Sequence, residues 1–331
     1  SPTCVMSYGE NSKGALGYLI GEEHDGLRCM FTMMNNARLN VGLQGVAVAE
    51  RAYQHAVDYA RERVQSAPLD GGDESVAIIS HPDVRRMLLT MKATVEAMRG
   101  LIYDVVSSLD VTRAHPDSDV RSAARSRVDL LTPVVKAWCT DMGVEVASLG
   151  VQVHGGMGYV EETGAAQYFR DARITPIYEG TNGIQAIDLV TRKVLRDGGD
   201  TVAQYALEIR TVLSALEADS DTVLTSLHTH LSAALDTLET ATRWLVTEAG
   251  DAPGKALSGA TPYLRLFGLT AGGAIMARGA LAADDDDLDF HIAKRRTAHF
   301  YAENILSQAT SLLAPIQNGS ESIVAFAEDQ F

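Results

Sequence analysis

Glu179 is the residue around which the chemistry of this sequence gathers. It follows Ile174, Pro176, Ile177 and Tyr178 and precedes Gly180 and Thr181. Such neighbours can desolvate a carboxylate, and a desolvated carboxylate has a raised pKa suited to taking a weakly acidic proton. Taken alone, Glu179 is equally an ordinary acid at a helix start, where the helix dipole favours Asp and Glu. Upstream, His154-Gly155-Gly156-Met157-Gly158 spells a tight turn after a helix. Without Cβ atoms, such a turn lets a flat or phosphorylated ligand approach backbone amides, although a plain helix C-cap gives the same pattern. His154 reads as a side chain that caps the backbone there rather than as a proton relay.

The elements that must position these residues are helical. Apolar periodicity predicts helices over residues 26–65, 83–111 and 120–153, with a Gly, Asp and Ser connector over 66–75 and N-cap candidates at Asp117 and Asp119. Pro133 inside the third helix predicts a kink. With residues 183–195 as a fourth member, these helices make an antiparallel four-helix bundle. Further helices are predicted over 201–218, 222–249, 262–283 and 289–313. Gly272-Gly273 in the third of them signals close packing without chemistry. Residues 1–6 and 17–21 read as two short strands with Gly-rich turns. Met30, Met33 and Met34 read as core, and Trp138 and Trp244 as packing residues.

Composition narrows the partners. A net charge of -15 over 331 residues argues against nucleic acid and against an anionic membrane surface. The run Asp284 to Asp287 reads as a solvated loop rather than a metal site. Cys4, Cys29 and Cys139 have neither zinc-site nor disulfide spacing, which fits a reducing cytoplasm, and no metal is expected. The longest apolar run is too short for a membrane helix.

Gln152-x-x-Gly155-Gly156-x-Gly158, then Arg170-Asp171-Ala172-Arg173, then Tyr178-Glu179-Gly180-Thr181-Asn182 together resemble the acyl-CoA dehydrogenase family. Upstream, Met33-Met34-Asn35-Asn36-Ala37-Arg38 opens a long helical pattern closing at Ala60-Arg61-Glu62-Arg63, as in that family's first C-terminal-domain helix. Shorter members would end near Leu195. The helical continuation is similar to a longer bacterial subgroup, whose members act on fatty acyl-CoAs and on 3-(methylthio)propanoyl-CoA. The resemblance implies an all-α fold with three parts: a remnant of a β-barrel domain at 1–25, the family's C-terminal helical bundle at 26–198, and a helical extension at 199–331. It also implies a fragment lacking a helical N-terminal domain and most of the barrel.

By the same resemblance the activity is FAD-dependent α,β-dehydrogenation of acyl-CoA thioesters. Glu179 is then the base for the α-proton, and its backbone N–H helps polarise the thioester carbonyl. Arg63 would meet the pyrophosphate of an FAD shared with a neighbouring subunit, and Gln152, Gly155 and Gly156 its adenosine. Thr181 and Asn182 would lie at the subunit's own FAD. Asn35, Arg38, Tyr178 and Gly180 would contact substrate, with an interhelical salt bridge the alternative for Arg38. Where shorter members carry His-Gln, this chain has His81-Pro82, and Gly183 replaces a frequent Gln, so those two contacts must be absent or supplied elsewhere. Implied partners are acyl-CoA, electron-transferring flavoprotein and a homodimer or homotetramer. The alternatives are an acyl-CoA oxidase and a non-catalytic flavoprotein or oligomerisation fragment of the same fold.

Overall fold

A computed structural model describes residues 4–10, 14–68, 71–217, 221–248, 253–283 and 288–331. It resolves into two compact units, residues 1–37 and 38–331. Among the described residues no strand forms. Residues 4–7 and 14–20 run without regular structure, residues 1–3 lie outside the described set, and the one isolated β-bridge pairs Val64 with Ala77. The two expected strands are therefore corrected. A strand is stable only where a neighbouring strand satisfies its N–H and C=O groups, and no such ladder is built among the described residues of this unit. The first turns of the first helix also lie in this unit, where Met30 and Met33 are exposed rather than core.

The bundle is built from α1 (Gly26–Glu62), α2 (Pro82–Ala114), α3 (Ser118–His154) and, after α4 (Ala165–Ala172), α5 (Asn182–Asp188). Local signals set the boundaries. Pro82 stands in the first turn of α2 behind an extended His81, a position where its missing N–H costs nothing. Asp117 caps α3, its side chain accepting from the Asp119 N–H at 2.8 Å. Gly155, with φ of 59°, stops it. The predicted kink residue Pro133 lies buried inside α3 without ending it.

Small residues let α1 and α3 lie backbone to backbone. A Cβ on Gly45 would sit 2.6 Å from the Cys139 carbonyl oxygen, and one on Gly143 2.8 Å from that of Gly45. Beyond α5 the chain passes through a π-helical stretch, Leu189–Val194. It then enters α6 (Asp200–Glu217), α7 (Thr222–Glu248), α8 (Ala260–Leu281) and α9 (Asp289–Asn304).

The extension does not stand apart from the bundle, because α8 packs against α2, α3 and α5 as well as α7 and α9. Gly268 and Gly272 make this possible by admitting the indole of Trp138 from α3, which is fully buried. Gly273 packs against Leu306, the close approach read from the sequence. Charged groups tie the same parts together. Arg127 of α3 pairs with Asp104 of α2 and, at 3.0 Å, with Glu208 of α6, while Lys294 of α9 reaches Glu96 of α2 at 2.7 Å. The predicted helix over 289–313 instead breaks at Ile305 into a 3-10 stretch, Leu306–Leu312. That break keeps Ile305, Leu306 and Ala309 buried. No helix among the described residues is long and apolar enough to cross a membrane, and Asp284 to Asp287 lie outside the described residues.

Candidate active site

Glu179 sits in the turn that leads into α5, and its backbone is left-handed, with φ of 58° followed by 84° at Gly180. An L-residue there costs roughly 1 kcal/mol or more unless its surroundings impose it. Sequence sets up the turn. Gly180 takes a positive φ that other residues resist, and Thr181 caps α5 by accepting from the Ile184 N–H at 3.4 Å. The Asn182 N–H donates back to the Pro176 carbonyl at 3.0 Å. Among the described residues, the N–H groups of Glu179, Gly180 and Thr181 meet no acceptor. The carboxylate is half-buried, and Ile174 and Ile177 are 49% and 48% exposed, so the apolar cover anticipated for it is partial within this chain.

Beneath the turn lies a buried polar cluster that the sequence reading passed over. Lys136 of α3 is fully buried, and its Nζ donates to the Gly180 carbonyl at 2.9 Å and to Asn182 Oδ1 at 2.8 Å. Asn182 Nδ2 donates to the Ala137 carbonyl, to Thr140 Oγ1 and to Asp141 Oδ1 at 3.1, 2.9 and 2.7 Å. Burial raises the Asp141 pKa, with the Asn182 hydrogen bond and Arg265 opposing it. One signal was available: a lysine inside the unbroken apolar run Pro133-Val134-Val135-Lys136-Ala137-Trp138-Cys139 must find partners, because a buried ammonium without them is costly.

Arg38 closes another side. It is buried and faces Asp188 of α5 at 3.6 Å, the interhelical salt bridge named as its alternative role, and its Nε has no partner among the described residues. A Cβ on Gly180 would lie 3.9 Å from Arg38 Nη2 and 2.9 Å from Gln185 Nε2. Tyr178 donates its hydroxyl to Gln44 of α1. Tyr178, Glu179, Gly180, Thr181, Asn182 and Arg38 thus share one site. Asn35 is exposed and belongs to the other unit.

Gln152, Gly155 and Gly156 form a second patch at the end of α3, roughly 24 Å along the helix from Lys136 at 1.5 Å per residue. They are exposed, and added Cβ atoms on Gly155 and Gly156 would meet nothing within 4 Å. His154 is buried behind them, donating from Nδ1 to the Gly150 carbonyl at 2.7 Å, the backbone-capping role read from the sequence. Its ring stacks on Tyr59 of α1 at 4.4 Å. That contact brings the end of α1 to the glycine turn, and Arg63, one turn beyond Tyr59, is exposed with no carboxylate within 4 Å among the described residues. A free guanidinium beside open backbone fits a phosphorylated ligand. A groove of about 520 Å³ between α3 and α6, lined by Arg127, Tyr205 and Glu208, contains none of these residues.

Comparison with known proteins spans nearly the whole chain. The family model for the acyl-CoA dehydrogenase C-terminal domain matches residues 24–195, and one described as acetyl-CoA dehydrogenase C-terminal like matches 201–327. The chain is 46% identical over 330 residues to a 3-methylmercaptopropionyl-CoA dehydrogenase of Ruegeria pomeroyi, covering 98% of this chain and 55% of that protein. It is 31% identical over 350 residues to a broad-specificity linear acyl-CoA dehydrogenase of Mycobacterium tuberculosis, covering 100% and 57%. An acyl-CoA dehydrogenase of Bacillus anthracis, solved in complex with FAD, superposes with a TM-score of 0.70 at 20% identity, over 94% of this chain and 52% of that one. The chain spans about half the length of the relatives it matches.

Proposed function

The chain belongs to the acyl-CoA dehydrogenase family, and from that premise we propose that it serves FAD-dependent α,β-dehydrogenation of acyl-CoA thioesters with Glu179 as the base. The observation that carries this reading is the turn itself. A carboxylate held in a left-handed conformation stands beside backbone N–H groups left without acceptors. An α-proton of a thioester is too weakly acidic for a free carboxylate, so the carbonyl must be polarised as charge develops. The Glu179 N–H is available for that polarisation, while the carboxylate on the same residue takes the proton. Gly180 keeps the turn open to the thioester, and Tyr178 and Arg38 bound its sides.

Bound FAD would supply the acceptor for the β-hydride at its N5. We assign Arg63 to the pyrophosphate, Gln152, Gly155 and Gly156 to the adenosine, and Thr181 and Asn182 to the flavin end. The separation of the two patches along α3 supports giving them to different cofactor molecules, hence to an assembly in which FAD is shared between subunits. Residues 26–198 would carry the chemistry and 199–331 buttress it through α8. Asn35 we assign to the CoA moiety. Electron-transferring flavoprotein is the proposed electron acceptor, in a cytoplasmic dimer or tetramer. The 46% identity to a 3-methylmercaptopropionyl-CoA dehydrogenase makes a short thioether acyl-CoA the first substrate to try.

The test is flavin bleaching. Flavin-loaded protein is mixed with 3-methylmercaptopropionyl-CoA and with linear acyl-CoAs of increasing length. At least one should bleach the wild type. Glu179→Gln, which leaves the backbone N–H in place, should retain acyl-CoA binding and slow bleaching about a hundredfold to ten-thousandfold, the usual contribution of a general base. A yellow wild-type protein that none of these thioesters bleaches overturns the assignment.

A further inference from the structure

Resting on the reading of Glu179 as the base, we infer that Lys136 is a positioning residue, whose buried amine fixes the left-handed turn that presents the Glu179 carboxylate. The amine makes no ion pair within 4 Å among the described residues and spends its hydrogen bonds on two neutral oxygens, Gly180 O and Asn182 Oδ1. Those oxygens sit one and three residues past Glu179. Asn182 is itself locked to α3 by the two N–H groups of Nδ2, shared among three oxygens of that helix. The tether therefore grips the chain immediately after the strained φ, at the carbonyl whose orientation follows the Glu179 and Gly180 torsions.

The other hold on that carbonyl is weaker. Gln185 Nε2 lies 3.4 Å from Gly180 O and 3.5 Å from Glu179 O, at the long edge of hydrogen bonding. Without Lys136 the turn would lose its one short bond to Gly180 O. The backbone would then be free to leave the left-handed region, swinging the Glu179 side chain off its approach to the α-carbon. A ligand or filler role fits less well. Lys136 is fully enclosed in this chain, and an unbranched apolar side chain such as Met would fill most of the space without the cost of burying an amine.

The experiment compares wild type with Lys136→Met, which keeps all but the last atom of the unbranched side chain and removes the donors. Hydrogen–deuterium exchange on the 331-residue chain reads the hydrogen-bonded amides of Asn182, Ile184 and Gln185, within the peptide over residues 178–185, against a reference peptide in α8. Stopped-flow flavin reduction by acyl-CoA, in the flavin-loaded protein, separates the rate at saturation from the half-saturating concentration. Lys136→Met should melt no lower than wild type, yet its turn should exchange about tenfold faster or more, as a locally opened segment does. Its saturating reduction rate should fall about tenfold to a hundredfold, the scale expected of a misplaced catalytic group, with half-saturation within about threefold.

A merely structural lysine predicts the reverse, a lowered melting temperature with unchanged rate. Exchange within about twofold of wild type, or faster exchange with an unchanged reduction rate, overturns the inference. Should Lys136→Met not fold, Thr140→Val loosens the Asn182 end of the same tether and is read the same way. If acyl-CoA fails to reduce the wild-type flavin, the dehydrogenase reading fails by itself, and the exchange result still decides whether Lys136 holds the turn.

Discussion

Lys136 titrates under opposing influences. Burial drives its pKa down from 10.5 to about 8, Arg38 adds to the fall, and Asp141 and Glu179 oppose it. Between those two values the unfolded chain holds a proton that the folded chain has released, so stability rises with pH through that window rather than falling. Going from pH 7 to 9.5 should add about 2 kcal/mol from this group. Chemical denaturation of wild type and Lys136→Met at both pH values checks the sign: the wild type should gain relative to the variant. The tether survives that deprotonation, since a neutral amine still has two N–H groups for its two acceptors. Glu179, Thr181 and Asn182 stood out as residue types at fixed spacing, the first as candidate base and the other two as cofactor contacts, while the cap formed by Thr181 and the anchor formed by Asn182 emerged only in the fold. Lys136 was not, because its partners are a backbone carbonyl and a side-chain amide more than forty positions away, and only folding brings them to it.

Helix α3 underlies the Glu179 turn through Lys136 and ends at the glycine patch, so its seat against α1 governs the site. The seam is made of glycines, and a Cβ on Gly45 would meet backbone atoms of Cys139 and Thr140 at 2.6 to 3.0 Å. Backbone cannot rotate away as a side-chain tip can. Gly45→Ala should therefore destabilise by about 1–3 kcal/mol through overpacking, outweighing the roughly 1 kcal/mol that alanine gains in helix propensity. Thermal unfolding measures the balance, and an unchanged or higher melting temperature would show that the seam tolerates a methyl group. The boundaries of α2 and α3 were legible to within about three residues, because apolar periodicity, Pro82, Asp117 and Gly155 are local signals, whereas the end of α9 at Asn304 was not. The expected strands failed for the opposite reason, since a strand depends on a partner. Helix α4 escaped notice because it is a short element between two glycine-rich turns, recognisable only once Tyr168 and Phe169 are seen packed on the core.

Taken whole, the molecule leaves apolar side chains uncovered beside its site. Met157, Tyr159, Ile174, Ile177 and Ile184 are each between 46% and 84% exposed, and exposed apolar clusters mark surfaces that other protein covers. Sedimentation should show the chain self-associating near neutral pH despite a net charge of -15, with substitution of Ile174 and Ile177 by Ser shifting it toward monomer. A chain that stays monomeric at tens of micromolar, by the usual scale of weak association, removes the support for a shared cofactor.

The sequence by itself determined the helical class, the places of the long helices and the family, and it singled out Glu179 as the candidate base, because periodicity, caps and short motifs are encoded within a few residues of one another. Tertiary structure alone decided that α8 joins extension and bundle into one packed unit, that Arg38 pairs with Asp188, and that a buried lysine grips the turn of Glu179. Each of these depends on which distant side chains share an interior. The order of residues along the chain does not state that, and close packing settles it only once the helices have met.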